Sequence, residues 1–431
     1  MLIQRATLLD GRRVDVRVGE RIDDVAATLV PARGESVLDA VGGTVIPGLH
    51  DHHVHTYAAA AALDSLRVGP ADVGDRAGFA AVLGRASVGG DGWIRAVGYH
   101  ESVAGPLDRA VLDGLTPPVP VRVQHRSGVL WTLNSAGLTR LGLGDHPDGR
   151  LRSDDPGWNS GIERRAVPLV GLSRHLAGHG VTGITDATPD LAADTLLAAR
   201  AAGQLRQRLV VLAPGKRILH DTDLDLDELA AWIADRHRGG VPVAIHCVTT
   251  AQLVVAMAAL REAGVDPRDR IEHAAMVPDD CIPDLAGLGV TVVTQPNFVA
   301  ERGDQYLVDV PRREHRELWR VAGLLAAGVP LALSTDTPFG DGDPWAAMRA
   351  AVTRRTRAGE VLGPDECVDA ATALRLFLGS AEQPSVPRQI APGAPGDVCV
   401  LAAPPAEVLA ELDADLVGMT IVGGEIIHAP R

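Results

Sequence analysis

Residues 11–22, GRRVDVRVGERI, place Val14, Val16 and Val18 on one face with charged residues between them. That two-residue period is the pattern of a half-buried strand. At the other end of the chain, MTIVGGEIIHAPR consists of two short runs meeting at Gly423 and Gly424, the composition of a hairpin turn. Both termini therefore read as β-rich. Between them, short apolar runs alternate with Ala/Leu/Arg-rich segments of helical length. VTGITDA precedes LAADTLLAARAAG, VPVAIHC precedes TAQLVVAMAALREAG, and RIEHAAM, VTVVTQPN and PLALSTDT follow. Strands alternating with helices at this spacing predict βα units and a parallel sheet, closed into a (β/α)8 TIM-like barrel over this length of chain. The expected fold class is thus α/β. Residues 62–165 break the rhythm: rich in Gly, Asp and Pro, they read as an insertion after the first barrel strand.

Composition narrows the function. No apolar run reaches the roughly 18 residues that span a bilayer, and MLIQRATLLDGRRVDV lacks the basic start and apolar stretch of a secretory signal. A cytoplasmic location is the default expectation. A formal charge of −14 argues against nucleic acid or an anionic membrane as partner, since both call for a basic surface. A small-molecule substrate is expected instead, and 3% aromatic residues argue against a broad stacking platform. Cys247, Cys281, Cys367 and Cys399 are far apart with no CxxC pair, so they read as reduced, small apolar fillers.

Lys216 is the only lysine among 41 basic residues. A drift that replaces lysine wherever arginine serves has left one in place. Arginine is always protonated, whereas a buried lysine amine becomes neutral and can then act as a nucleophile or be modified.

The densest chemical signal is VIPGLHDHHVH, residues 45–55. On a strand, Asp51, His53 and His55 share one face while His50 and His52 point the other way. His246 ends the apolar run VAIHC, His273 ends RIEH, and Asp336 ends LALSTD. Polar residues at the C-terminal ends of barrel strands converge on the active-site mouth. The order HxH, Lys, His, His, Asp is hard to explain as packing.

PGLHDHHVH resembles the PG-x-x-D-x-H-x-H signature of the amidohydrolase superfamily, and RSGVLWTLNSAGL, STDTPFGDGDPWAAMRAAVTRRT and APGAPGDVCVL resemble its family 3 branch, the YtcJ-like group that includes N-substituted formamide deformylases. The resemblance covers nearly the whole chain. It implies that His53 and His55, with Asp336, hold one divalent metal and that His246 and His273 hold a second. Lys216 then bridges the two as a carbamate formed with carbon dioxide. Zinc, which accepts mixed imidazole and oxygen ligands, is the expected metal; iron and manganese fit similar sites. A hydroxide between the metals attacks a carbonyl, and Asp336 is the catalytic residue that carries the proton to the leaving nitrogen. Amide hydrolysis at a non-peptide C–N bond follows.

The resemblance further implies that the segments 1–47 and 388–431 form a small β-sandwich beside a barrel of residues 48–387. The insertion would roof the barrel mouth, which makes His100, Glu101, Arg126 and Trp158 candidates for substrate contact, with Asn297, Asp186 and Thr188 at strand ends. Where the family 3 branch often has histidine, this chain has Val129, leaving His125 or Arg126 to supply a polar contact. The spacing between RLVVLA and GKRILHD leaves almost no room for a helix, so the lysine strand is expected to be irregular; in another register His220 or Asp221 points into the site. A homodimer is the oligomer such enzymes commonly form. Competing readings are a one-metal aminohydrolase that deaminates a heterocycle, a lactone or ester hydrolase, and a non-catalytic barrel that binds a metabolite.

Overall fold

The computed structural model describes residues 1–152, 155, 157–158 and 167–429. The chain divides into two compact units, one of residues 1–56 with 169–431, the other of residues 57–168.

The first unit carries eight parallel strands: β1 (Leu49–Val54), β2 (Val181–Asp186), β3 (Arg208–Val211), β4 (Lys216–Ile218), β5 (Ala244–Cys247), β6 (Arg270–His273), β7 (Thr291–Thr294) and β8 (Leu331–Leu333). They form two hydrogen-bonded arcs, β3-β2-β1 and β4-β5-β6-β7-β8. Beyond β8, the Asp336 N–H donates to His53 O at 3.0 Å, tying that segment to the end of β1. Every residue of β1, β2, β6, β7 and β8 is buried. Burial on both faces is usual for parallel strands, so the polar residues of LHDHHV and RIEH are buried along with the apolar ones. Only four residues separate β3 from β4, too few for a helix, and the break between the arcs falls there.

The helices between strands are made by local chemistry as well as by apolar stripes. In Leu226–Arg238, Asp225 caps the N-terminus by accepting from the Glu228 N–H, while Arg236, His237 and Arg238 close the last turn. Both ends thus match the helix dipole. Leu229, Ala230 and Ile233 form its buried face. Thr249 caps Thr250–Ala263 in the same manner.

The chain ends join one eight-stranded sheet, in which Val417–Val422, Val398–Leu401, Thr44–Pro47, Leu2–Thr7 and Arg13–Val18 lie in succession. Val14, Val16 and Val18 are buried there with Ile3, Val45, Val400 and Ile421, as the alternation predicts. Gly423 and Gly424 turn the final hairpin with φ of 56° and 78°, the left-handed pair such a turn favours. Gly48 links this sheet to β1, and a Cβ there would lie 2.1 Å from Thr182 Cγ2.

The second unit is an αβ body of its own. Its five-stranded sheet runs Arg150–Arg152, Leu130–Leu133, Val121–His125, Ile94–Tyr99 and Leu66–Arg67 in order. Phe79, Leu83, Ile94, Leu112 and Val121 form its main core. All four cysteines are free.

Candidate metal centre

The end of β1 presents the first candidate ligands. Asp51 is buried and accepts from the Thr335 N–H at 3.1 Å and from its hydroxyl, so it braces the strand against the segment after β8. His53 and His55 follow on the same face, their ring centroids 5.4 Å apart. The Nε2 atoms of His53 and His55 lie 3.5 Å and 3.4 Å from Asp336 Oδ1. These three groups are spaced to hold one metal ion. His50 turns away to Thr185 Oγ1 at 2.9 Å, and the His52 ring sits beside it.

The other strand ends close on the same place. The His273 ring centroid is 4.7 Å from that of His53 and 4.5 Å from that of His246. Strict alternation would send Glu272 and His273 to opposite faces, yet both reach His53. His273 achieves this at φ 71°, and Asp336 sits at φ 58°. Left-handed backbone at a non-glycine residue costs about 1–3 kcal/mol and concentrates at functional sites.

Lys216 lies among these groups, 5% exposed. Its Nζ, His53 Nε2 and Asp336 Oδ1 are buried with no hydrogen-bond partner. An unmatched buried polar group costs about 1–3 kcal/mol, and more when charged. Burial pushes the Lys216 amine down to about 8, against the pull of Glu272 and Asp336. Burial, then the charge of Lys216, pushes His246 down to about 3 and holds His53 well below the ordinary imidazole range. His273 is lowered too, by burial first and then by His246 and His53. Neutral imidazoles are the ligating form. The unmatched Lys216 Nζ and Asp336 Oδ1 beside the lowered imidazoles of His53, His246 and His273 make a donor set that fits divalent metal.

The partners of these candidate ligands were not read from sequence. His53 Nδ1 bonds the Glu272 carboxylate, and Arg270 Nε lies 2.7 Å from Glu272 Oε1. His273 Nδ1 meets Gln295 Oε1 at 2.8 Å, and Gln295 Nε2 donates to Ser334 Oγ at 2.8 Å. The signal was present in RIEH, where a carboxylate stands beside a candidate ligand histidine. Its target, 219 residues away, was not visible.

The remaining candidates are placed as follows. Asp186 accepts from the Thr56 and Thr188 N–H groups, and Thr188 Oγ1 lies 3.3 Å from His55 Nδ1. Asn297 is buried, its Nδ2 donating to Glu301 Oε1 and Thr335 O. His220 is exposed, and Asp221 accepts from Thr249 and Gln252. In the second unit, Trp158 packs near Trp131 and donates its indole N–H to Arg152 O at 2.7 Å. The Arg126 N–H donates to Tyr99 O at 2.8 Å. His100 and His125 flank Glu101, with His125 Nε2 3.1 Å from Glu101 Oε2. Both Nδ1 atoms accept a backbone N–H, from Ser102 and Ser127, which puts each ring proton on Nε2 facing the carboxylate side. Glu101 Oε2 is hydrogen-bonded to His125, and His100 Nε2 lies 3.9 Å from the same oxygen, so the three groups are close enough together to hold a metal ion of their own.

The sequence model of the amidohydrolase family matches residues 36–428. The chain belongs to the amidohydrolase family. It is 27% identical to the N-substituted formamide deformylase of Arthrobacter pascens, over 86% of this chain and 84% of that one. A metal-dependent hydrolase of Pyrococcus horikoshii superposes with a TM-score of 0.77 at 20% identity, covering 95% of this chain and 98% of the other. N-isopropylammelide isopropylaminohydrolase of Burkholderia multivorans superposes with a TM-score of 0.57 at 16% identity, over 99% and 97%. A variant of atrazine chlorohydrolase from Arthrobacter aurescens, bound to zinc and atraton, gives 0.57 at 15%, over 99% and 95%. At these identities the structural likenesses speak for the mixed α/β fold. As an amidohydrolase, the protein is a metal-dependent hydrolase of carbon–nitrogen bonds. Among the described residues, no helix is long and apolar enough to cross a membrane.

Proposed function

We propose that this amidohydrolase uses two divalent ions to hydrolyse a non-peptide amide of a small molecule, with N-formyl, N-acyl and cyclic amides as the class. The carrying observation is the Lys216 amine, buried without a partner among the imidazoles of His53, His246 and His273. In this reading His53, His55 and Asp336 hold one ion, and His246 and His273 hold the other. Lys216 would offer both ions an anionic oxygen donor as a carbamate, formed when the neutral amine adds to the carbon of carbon dioxide and releases a proton. Arginine has no counterpart to that reaction, which accounts for the single lysine. When bound, the ions, with zinc expected, acidify water from about 15.7 to around 7 and polarise the carbonyl to be attacked.

The chain's own groups do the rest. Asp336 Oδ1, aimed between His53 and His55, takes the water's proton and passes it to the leaving nitrogen. Glu272 and Gln295 fix the ring orientations of His53 and His273. Asn297 is proposed to contact the substrate through Oδ1, since its Nδ2 already donates to Glu301 and Thr335. The eight parallel strands close as a (β/α)8 barrel in this account, with the terminal strands as a β-sandwich beside it. A cytoplasmic homodimer is the proposed working form.

The formamide deformylase relative points to N-substituted formamides as first substrates. Formate release from N-benzylformamide and its homologues, measured beside lactones and aminated heterocycles, tests the reading. Turnover confined to the heterocycles would replace it with the one-metal aminohydrolase. That second reading is favoured by one observation, that His53, His55 and Asp336 alone form a compact ligand group among these strand-end residues.

A further inference from the structure

Arg270 and Glu272 lie on β6 with 4% and 0% exposure, and nothing in the proposed chemistry uses Arg270. Glu272 Oε2 is bonded to His53 Nδ1, the ring nitrogen turned away from Asp336. The Arg270 guanidinium donates from Nη2 to Glu272 Oε2 at 3.2 Å, while its Nε lies 2.7 Å from Oε1 as an ion contact without hydrogen-bond geometry. Arg270 Nη2 also donates to His52 O at 2.6 Å, so the same guanidinium grips the backbone of the histidine strand. Arg270 therefore touches β1 twice, once through its backbone and once through Glu272 to the His53 ring.

The other end of Arg270 is exceptional. Arg270 opens β6, and it lines a cavity of about 550 Å³ whose walls include Val211, Val241, Pro242, Thr291 and Pro330. Ala244 and Thr291, which open β5 and β7, line it too, so the cavity lies at the strand ends opposite His246 and His273. Because Arg270 is part of this wall, truncating its side chain would leave space contiguous with the cavity, on the side away from His246 and His273.

We infer that Arg270 and Glu272 are positioning residues for the ion at His53, His55 and Asp336, and that the Arg270 guanidinium is replaceable from the cavity below. The inference rests on the metal reading above. Glu272 holds the Nδ1–H of His53 so that Nε2 offers its lone pair beside Asp336. A fully buried carboxylate needs a compensating cation, and removing one member of such a pair leaves the other charge buried and uncompensated. Arg270 is that cation.

The test measures metal affinity by chelator competition on the full chain, with the visible spectrum of the cobalt(II) form as a second readout. Glu272→Gln and Arg270→Ala are each expected to weaken the ion at His53, His55 and Asp336 about 10- to 100-fold, the usual effect of losing such a partner. Adding guanidinium chloride at non-denaturing concentration is expected to restore affinity in Arg270→Ala. Urea, neutral and of the same shape, is expected not to. Arg270→Lys, which keeps a cation, should fall between and serves where Arg270→Ala does not fold. A merely structural role would lower thermal stability while leaving the affinity per folded molecule and the cobalt spectrum unchanged, and that result overturns the inference. Rescue by urea as well as guanidinium would overturn the cationic role. Absence of bound metal in the unmodified protein would instead overturn the metal reading itself.

Discussion

Lys216→Met removes the buried amine while keeping a side chain of similar length and bulk. The amine falls from an ordinary 10.5 to about 8, driven by burial. At about 1.36 kcal/mol per unit, this amounts to roughly 3 kcal/mol against the folded, metal-free protein. The group is only 5% exposed, so solvent screening takes little from that figure. The sign follows from proton counts. Below pH 8 both folded and unfolded chains carry the charge, and the cost is complete. Between pH 8 and 10.5 the unfolded chain holds a proton that the folded chain lacks, so stability rises with pH. Above that window both are neutral and the cost is gone. Methionine has no such dependence. Urea unfolding of chelator-treated protein at pH 7 is therefore expected to show Lys216→Met more stable by about 3 kcal/mol, with the gap closing toward pH 10.5. The same variant, reloaded with metal and bicarbonate, is expected to lose turnover. A variant no more stable than the parent at pH 7, or one that keeps full turnover, would refute the reasoning.

Asp336→Asn keeps the shape but loses the proton acceptor, so turnover of any hydrolysed amide should fall about 10²- to 10⁴-fold while circular dichroism is unchanged; undiminished turnover would move the proton shuttle elsewhere. Asp225→Ala deletes the cap on Leu226–Arg238 and should cost about 1 kcal/mol in urea unfolding, with no change in metal content. Gly48→Ala forces a Cβ to within 2.1 Å of Thr182 Cγ2, so melting should drop, and pairing it with Thr182→Ser should recover part of the loss.

How much of this was legible depended on how local each signal was. The hairpin at Gly423 and Gly424 was readable because the turn residues sit between its two strands. Val14, Val16 and Val18 were readable because alternation alone selects the buried face. His53 and His55 were readable from their two-residue spacing on one strand. Glu272 was not, since its role is a contact with a residue 219 positions earlier. His273 and Asp336 were placed by their order along the chain, while their approach to His53 depends on left-handed backbone that no composition announces. Residues 57–168 hid their fold for a different reason: Gly, Asp and Pro dominate the surface of a unit whose core rests on scattered residues such as Phe79, Leu112 and Val121.

The central claim is that Lys216 joins two ions in one site. Its most direct test is the number of metal ions per chain, measured by elemental analysis of protein purified without chelators and supplied with bicarbonate. The account predicts a value near two, falling when Lys216 is replaced by methionine. A value near one that does not change in that variant would contradict it.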